Sequence, residues 1–266
     1  MDVVIVESPE EVGRAAADLV ADLVLAKPTA VLGVATGSSP LTTYAELAAR
    51  VRAGELSFAR ARAFALDEYV DIPLDHPQSY HSVIQQEVTA PLGFDPSAVH
   101  VPDGRAADLE HACAAYEAAM DEAGGVDLQI LGIGGNGHIG FNEPTSSFAS
   151  RTRVKTLSEQ TRRDNARFFA SPEEVPTHCL TQGLGTIADA RRLVLVAQGS
   201  QKAAAVARAV EGPVSSMCPG SLLQLHARAT VIVDEAAAAE LTLTDYYRYA
   251  DAHKTGLRSR RLSPAR

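Results

Sequence analysis

Leu128 to Pro144 reads L-Q-I-L-G-I-G-G-N-G-H-I-G-F-N-E-P. Its first half, Leu128 to Ile133, is a mainly apolar run of strand length, which predicts a buried β-strand. The run breaks into a glycine cluster carrying Asn136, His138, Asn142 and Glu143. Glycine lets backbone approach a ligand closely because no Cβ intervenes. A histidine and a carboxylate five positions apart can act as a base and its orienter. Titratable groups packed among small residues at a strand end point to a site on an open α/β sheet.

Outward from this stretch, strand-like and helix-like segments alternate. Strands are predicted at Val3–Val6, Ala30–Ala35, Ala63–Leu66 (ending on Asp67), Leu193–Ala197 and Thr230–Val233. Helices are predicted at Pro9–Leu25, Leu41–Val51, Gln78–Val88, Ala106–Glu122, Ser158–Phe169 and Gln201–Val210. This alternation predicts a doubly wound, Rossmann-like α/β fold, with a mostly parallel sheet covered by helices on both faces. At 266 residues and 46% apolar, the chain can bury a full core, and one domain over 1–266 is expected. The segment from Lys254, K-T-G-L-R-S-R-R-L-S-P-A-R, is basic and polar and predicts a mobile tail over 254–266.

The net charge of -9 argues against nucleic acid as the main partner. Three widely spaced cysteines, Cys113, Cys179 and Cys218, fit a reduced, cytoplasmic setting. The N-terminus lacks the basic n-region of a signal peptide, and no apolar stretch is long enough to cross a bilayer, so no membrane partner is expected.

Three further constellations could carry chemistry. In G-V-A-T-G-S-S-P-L-T-T-Y, Gly33 to Tyr44, a strand ends at Thr36, Gly37 allows a tight turn and Pro40 suits the start of a helix. Free N–H groups with the hydroxyls of Thr36, Ser38 and Ser39 would bind phosphate; alternatively Ser39 is an ordinary helix N-cap. The Gly-Lys-Ser/Thr ending of a Walker A loop is absent. In A-L-D-E-Y, Ala65 to Tyr69, Asp67 could be a general base at a strand end, or could merely cap the next segment. Gly132, Gly134 and Gly137 formally satisfy G-x-G-x-x-G, but Phe141-Asn142-Glu143-Pro144 opposes the helix that a dinucleotide fingerprint needs. Among scattered cations, Arg153, Lys155, Arg162, Arg163, Arg167 and Lys202, local sequence does not choose a phosphate partner.

Together the segments resemble the glucosamine-6-phosphate deaminase (glucosamine-6-phosphate isomerase) family. The resemblance rests on T-G-S-S-P-L-T-T-Y, L-D-E-Y-V, D-H-P-Q-S-Y-H, G-N-G-H-I-G-F-N-E-P, S-R-T-R-V-K-T-L, D-N-A-R-F-F, L-T-Q-G-L-G-T-I and A-V-E-G-P-V-S-S, in that order along nearly the whole chain. It implies a hydrolase acting on an amino sugar phosphate, interconverting glucosamine 6-phosphate with fructose 6-phosphate and ammonia, without metal or other cofactor. It further implies that Asp67 moves a proton between C2 and C1, that His138 opens the pyranose ring, and that Glu143 supports His138. Asn136 stands where many relatives have aspartate. Phosphate would sit on Thr36, Gly37, Ser38 and Ser39, with Arg167 and Lys202 supplying charge. Some members are hexamers activated by N-acetylglucosamine 6-phosphate through residues matching Ser146, Arg153 and Lys155; others are non-allosteric and often monomeric. Both a homo-oligomer with that effector and a monomer are therefore open. The rivals are a 6-phosphogluconolactonase-like hydrolase and a sugar-phosphate-sensing regulatory domain. L-D-E-Y with G-H-I-G-F-N-E-P favours the deaminase, and no helix-turn-helix pattern precedes the first strand.

Overall fold

The computed structural model describes residues 1–261, with side chains through residue 254. Strand β1 (Asp2–Val6) leads to helix α1 (Pro9–Ala26), β2 (Val31–Val34) to α2 (Leu41–Arg52), and β3 (Arg62–Ala65) to a short β4 (Asp67–Tyr69). Helix α3 (Tyr80–Ile84) widens through a π turn into α4 (Ala90–Leu92), followed by β5 (Val99–His100) and α5 (Leu109–Glu122). Strand β6 (Leu128–Leu131) opens the glycine cluster. Next come β7 (Arg153–Thr156), α6 (Glu159–Asn165), β8 (His178–Thr181) and α7 (Leu184–Ala188). The last elements are β9 (Leu193–Ala197), α8 (Ala203–Val210), β10 (Ala229–Asp234) and α9 (Thr244–Arg261).

Local chemistry sets these boundaries. Helix α1 starts where the Ser8 hydroxyl accepts from the Glu11 N–H, with Pro9 at its first position. Val12, Ala16, Val20 and Val24, spaced by four, give it one buried face. The predicted helix over 78–88 starts later, at Tyr80, because the Ser79 hydroxyl caps it by accepting from Ser82 N–H. The predicted helix over 158–169 ends at Asn165 and tightens into a 3-10 turn, Ala166–Phe168. Helix α9 takes in Lys254–Arg261, where a tail is expected; residues 262–266 lie outside the described residues.

Seven strands form one sheet in the order β1-β10-β9-β6-β2-β3-β5, and every pairing is parallel. Helices cover both of its faces. One core packs α1 and α2 on the sheet through Val20, Val24, Tyr44 and Leu47; the other packs α5, α7 and α8 through Tyr116, Ile187 and Val206. Being covered twice, the inner strands are mainly apolar; all five residues of β9 are apolar and buried.

Winding reverses between β2 and β6. From β2 the chain proceeds outward to β3 and β5, and from β6 it proceeds the other way to β9 and β10. Such a reversal opens a crevice at the carboxyl ends of the two strands. A second sheet, antiparallel in the order β4-β8-β7, completes the fold. It corrects the expectation that Asp67 ends a strand of the main sheet. The chain leaves that sheet at Leu66, and Asp67 opens β4, paired with Thr181 of β8.

Candidate active site

A cavity of about 350 Å³ fills the crevice. Thr36, Gly37, Ser38, Ser39, Asp67, His138, Arg167 and Lys202 all line it, with Tyr69, Tyr80, Phe141 and Phe169 adding an aromatic wall. Asn136 and Glu143 do not line it; they stand behind His138.

The turn after β2 has the backbone geometry that can receive an anion. Gly37 has φ +92°, in the left-handed region that favours glycine. Helix α2 begins at Leu41 with Pro40 at its cap position and no capping side chain. The reading of Ser39 as an ordinary N-cap is therefore overturned: the cap position falls one residue later. The N–H groups of the first turn are left without a side-chain acceptor, as an anion site requires. Lys202 donates from Nζ to the Ile133 carbonyl at 2.7 Å. Burial lowers its pKa and the Arg167 charge pushes the same way, so the two cations are close enough to repel.

Asp67 is almost wholly buried. Burial pushes its pKa up to about 8, and the neighbouring Glu68 carboxylate adds to this; the nearby Phe141 N–H and Thr181 hydroxyl, themselves joined at 3.1 Å, oppose the rise. Glu68 is held away by three backbone N–H groups, of Tyr69, Tyr80 and His81, at 2.8 to 2.9 Å. Through those bonds it fixes the start of α3, and with it Tyr80, to the strand carrying Asp67.

His138 lies flat against Gly134. A Cβ added at Gly134 would meet the imidazole Cε1 at 2.1 Å, so only glycine admits the ring here. Asn136 bridges His138 and Glu143: its Nδ2 donates to Glu143 Oε2 at 2.8 Å, and its Oδ1 faces His138 Nδ1 at 2.8 Å. An ionised carboxylate only accepts, which fixes the amide orientation. The amide oxygen also only accepts, so His138 carries its proton on Nδ1 and the lone pair on Nε2. Burial lowers the His138 pKa; Glu143 pulls the other way, and Lys202 adds to the lowering. For Glu143, burial opposes ionisation, but Thr161, the Ser158 N–H, His138 and Asn136 outweigh it and the pKa falls.

The glycine cluster does not begin a helix: the next helix after β6 is α6. The formal G-x-G-x-x-G match thus lacks the element that a dinucleotide site uses. Ser146, Arg153 and Lys155 lie off the cavity. Arg153 donates to Asn142 Oδ1 at 2.9 Å and Ser146 Oγ at 3.2 Å. Asn142 in turn donates to the carbonyls of Ile139 and Gln182, so Arg153 is tied to the loop that holds His138.

Residues 7–232 match the model of the glucosamine-6-phosphate isomerases/6-phosphogluconolactonase family. The chain belongs to this family. Within it, the chain is similar to a glucosamine-6-phosphate deaminase of Cutibacterium acnes, 58% identical over 257 residues, covering 97% of this chain and 98% of the relative. A solved structure of a monomeric glucosamine-6-phosphate deaminase is 44% identical with TM-score 0.88, over 90% of this chain and 100% of that one. A 6-phosphogluconolactonase from Trypanosoma brucei, 19% identical with TM-score 0.73 over 91% of this chain and 98% of that one, shares the fold.

Sequence reasoning on this family member missed Tyr80, Thr181 and Glu68 as parts of the site. Tyr80 stands in the quoted D-H-P-Q-S-Y-H segment and Thr181 in L-T-Q-G-L-G-T-I, so the motifs held the signal without the roles. Glu68 stands next to Asp67 in A-L-D-E-Y, and only the N–H groups around it show that it is an anchor.

Proposed function

We propose that the chain converts glucosamine 6-phosphate and water to fructose 6-phosphate and ammonia. The observation that carries this reading is one cavity lined by a buried aspartate, a histidine oriented by Asn136, an uncapped helix start and two cations. Arg167, Lys202 and the Thr36–Ser39 turn hold the phosphate, remote from the reacting carbons, and so supply positioning energy. His138, through Nε2, shuttles a proton between the anomeric hydroxyl and the ring oxygen and opens the pyranose. Asp67, as carboxylate, takes the C2 proton of the open aldehyde while the carbonyl oxygen gains a proton from the substrate's own ammonium, giving a neutral enolamine; Asp67 then returns its proton to C1. The resulting C2 imine adds water and expels ammonia, leaving the ketose. Asn136 and Glu143 keep His138 in the useful tautomer. A lactonase would need a base for water but no group to move a proton between carbons, and the near-full-length identity to deaminases weighs against it. Three buried free thiols are in keeping with a cytoplasmic setting.

Ammonia release from glucosamine 6-phosphate, run beside hydrolysis of 6-phosphogluconolactone, tests the reading. Release of ammonia with stoichiometric fructose 6-phosphate is expected; lactone hydrolysis without ammonia would refute it. A second reading concerns regulation. An effector site at Ser146, Arg153 and Lys155, taking N-acetylglucosamine 6-phosphate in a homo-oligomer, would reach the His138 loop through the Arg153–Asn142 bond. Sigmoidal rates that become hyperbolic with effector, and lose that response in Arg153→Ala, are expected; hyperbolic rates in a monomer, unmoved by effector, refute it.

A further inference from the structure

Gln198 follows β9 and lies outside every motif quoted for the site. Its side-chain nitrogen donates to the Ser39 carbonyl at 3.1 Å and to the Thr42 hydroxyl at 2.8 Å. Both acceptors belong to the anion turn: Ser39 lines the cavity and Thr42 stands in the first turn of α2. The segment that carries Gln198 is itself anchored. Gly199, at φ +83°, donates its N–H to both carboxylate oxygens of buried Asp234 at 3.0 Å. Asp234 also accepts from the Ala237 N–H at 2.7 Å. Four positions past Gln198, Lys202 reaches the Ile133 carbonyl at 2.7 Å. One short segment, 198–202, therefore joins the N–H and hydroxyl half of the anion site to its cationic half.

We infer that Gln198 is a positioning residue for the substrate phosphate, fixing the β2–α2 turn against Lys202 through its two N–H bonds. The inference rests on the proposed function above. An anion site gains affinity when its donors are held before the ligand arrives. The bond to Ser39 also spends a carbonyl that would otherwise stand as a free negative dipole beside an anion. An amide suits this position because a glutamate would set acceptor against acceptor and add negative charge near the phosphate.

The test uses the full chain, with wild type, Gln198→Leu and Gln198→Glu measured for kcat, KM and binding of inorganic phosphate by calorimetry. Leucine should raise KM about tenfold, the scale of a buried acceptor left unpaired. kcat should fall several-fold less, and phosphate affinity should drop by the same factor as KM rises. Glutamate should do worse on both. The Gln198→Leu and Lys202→Ala effects should be less than multiplicative together, because both act on one site. A folded Gln198→Leu with unchanged KM and phosphate affinity overturns the inference, as does an equal loss in binding of unphosphorylated glucosamine. If Gln198→Leu does not fold, Thr42→Val removes one of the two acceptors and should raise KM about threefold; no rise overturns the inference. A wild-type chain that binds phosphate but releases no ammonia overturns the deaminase reading alone, and the phosphate titrations then decide the role of Gln198.

Discussion

Asp67→Asn is expected to make the protein inactive and more stable at once, with a stability gain that grows with pH. Asp67 is 4% exposed, and burial lifts its pKa from 3.8 to about 8. Its folded pKa lies above its unfolded one, so the native state keeps a proton that the unfolded chain has already released. That contribution to stability is complete below pH 4 and is lost as pH rises through 8. Each pKa unit corresponds to about 1.4 kcal/mol, so wild type should lose up to ~1.4 kcal/mol per pH unit relative to the variant between pH 4 and 8. At pH 7 this reaches at most ~4 kcal/mol, reduced where cavity water screens the carboxylate. Asparagine does not titrate. Its amide must find a partner among groups that now bond a carboxyl, which offsets the curve by ~1–3 kcal/mol without changing its slope.

The slope is therefore the diagnostic. Urea unfolding at pH 5, 6, 7 and 8, in phosphate-free buffer and followed by circular dichroism, gives the free energy for each protein. The difference between variant and wild type should increase steadily, because all other titrating groups cancel. Parallel curves would refute the claim that burial holds Asp67 protonated. In the same variant kcat should fall by at least ~10³, as for a proton-transfer group acting in the transition state. Near-normal exchange of the C2 proton in deuterated water would sink the assignment of Asp67 as the base. In wild type, kcat/KM should climb toward pH 8 as Asp67 ionises.

Three shorter predictions concern its neighbours. Gly134→Ala puts a methyl group 2.1 Å from the His138 ring, so the ring must leave its place. kcat should fall about a hundredfold, the scale of one acid–base group, and near-wild-type turnover would count against the close approach. Asn136→Asp sets a carboxylate against Nδ1, which should raise the His138 pKa in a ring-proton NMR titration; an unmoved titration contradicts the amide relay. Lys202→Ala should raise KM for the phosphorylated substrate by ~10–100-fold while sparing binding of unphosphorylated glucosamine. Equal losses would mean that Lys202 works through its bond to Ile133 instead.

Six strands of the main sheet were legible because they are mainly apolar runs, and Leu193–Ala197 was read to the residue; β5, two residues long, was not. Leu128–Ile133 likewise marked the central strand, with the glycine cluster at its carboxyl end. The small sheet was not legible. Strands β4 and β8 are three and four residues long, too short for alternation to register; in β7 Arg153 and Lys155 alternate, but its partner lies far off in the chain. Hence Asp67 was found at a strand end but assigned to the wrong sheet, and its neighbour Thr181 was not linked to it. The cavity lining contains each candidate phosphate residue because loops at a winding reversal converge whatever their sequence distance. Gln198 is the counter-example. It lies in no motif, and only its two bonds to the anion turn disclose it.

The displaced pKa values of Asp67 and His138 have one largest cause with opposite results. Burial disfavours charge, so it lifts the acid and depresses the base. The neutral Asn136 is compatible with this state, since it orients the imidazole without holding it charged. Lys202, which lines the same cavity, reinforces the depression of His138. A phosphate dianion bound by Lys202 and Arg167 would cancel that repulsion and move the His138 pKa upward. Substrate binding would then adjust the acid–base group before ring opening begins. Inorganic phosphate should reproduce this upward shift. Ring-proton NMR titration of His138 with and without saturating phosphate reads it directly. In Lys202→Ala the starting pKa should already be higher and the response to phosphate smaller. A His138 titration that ignores phosphate in both proteins would mean that binding and ring opening share a cavity without sharing charge.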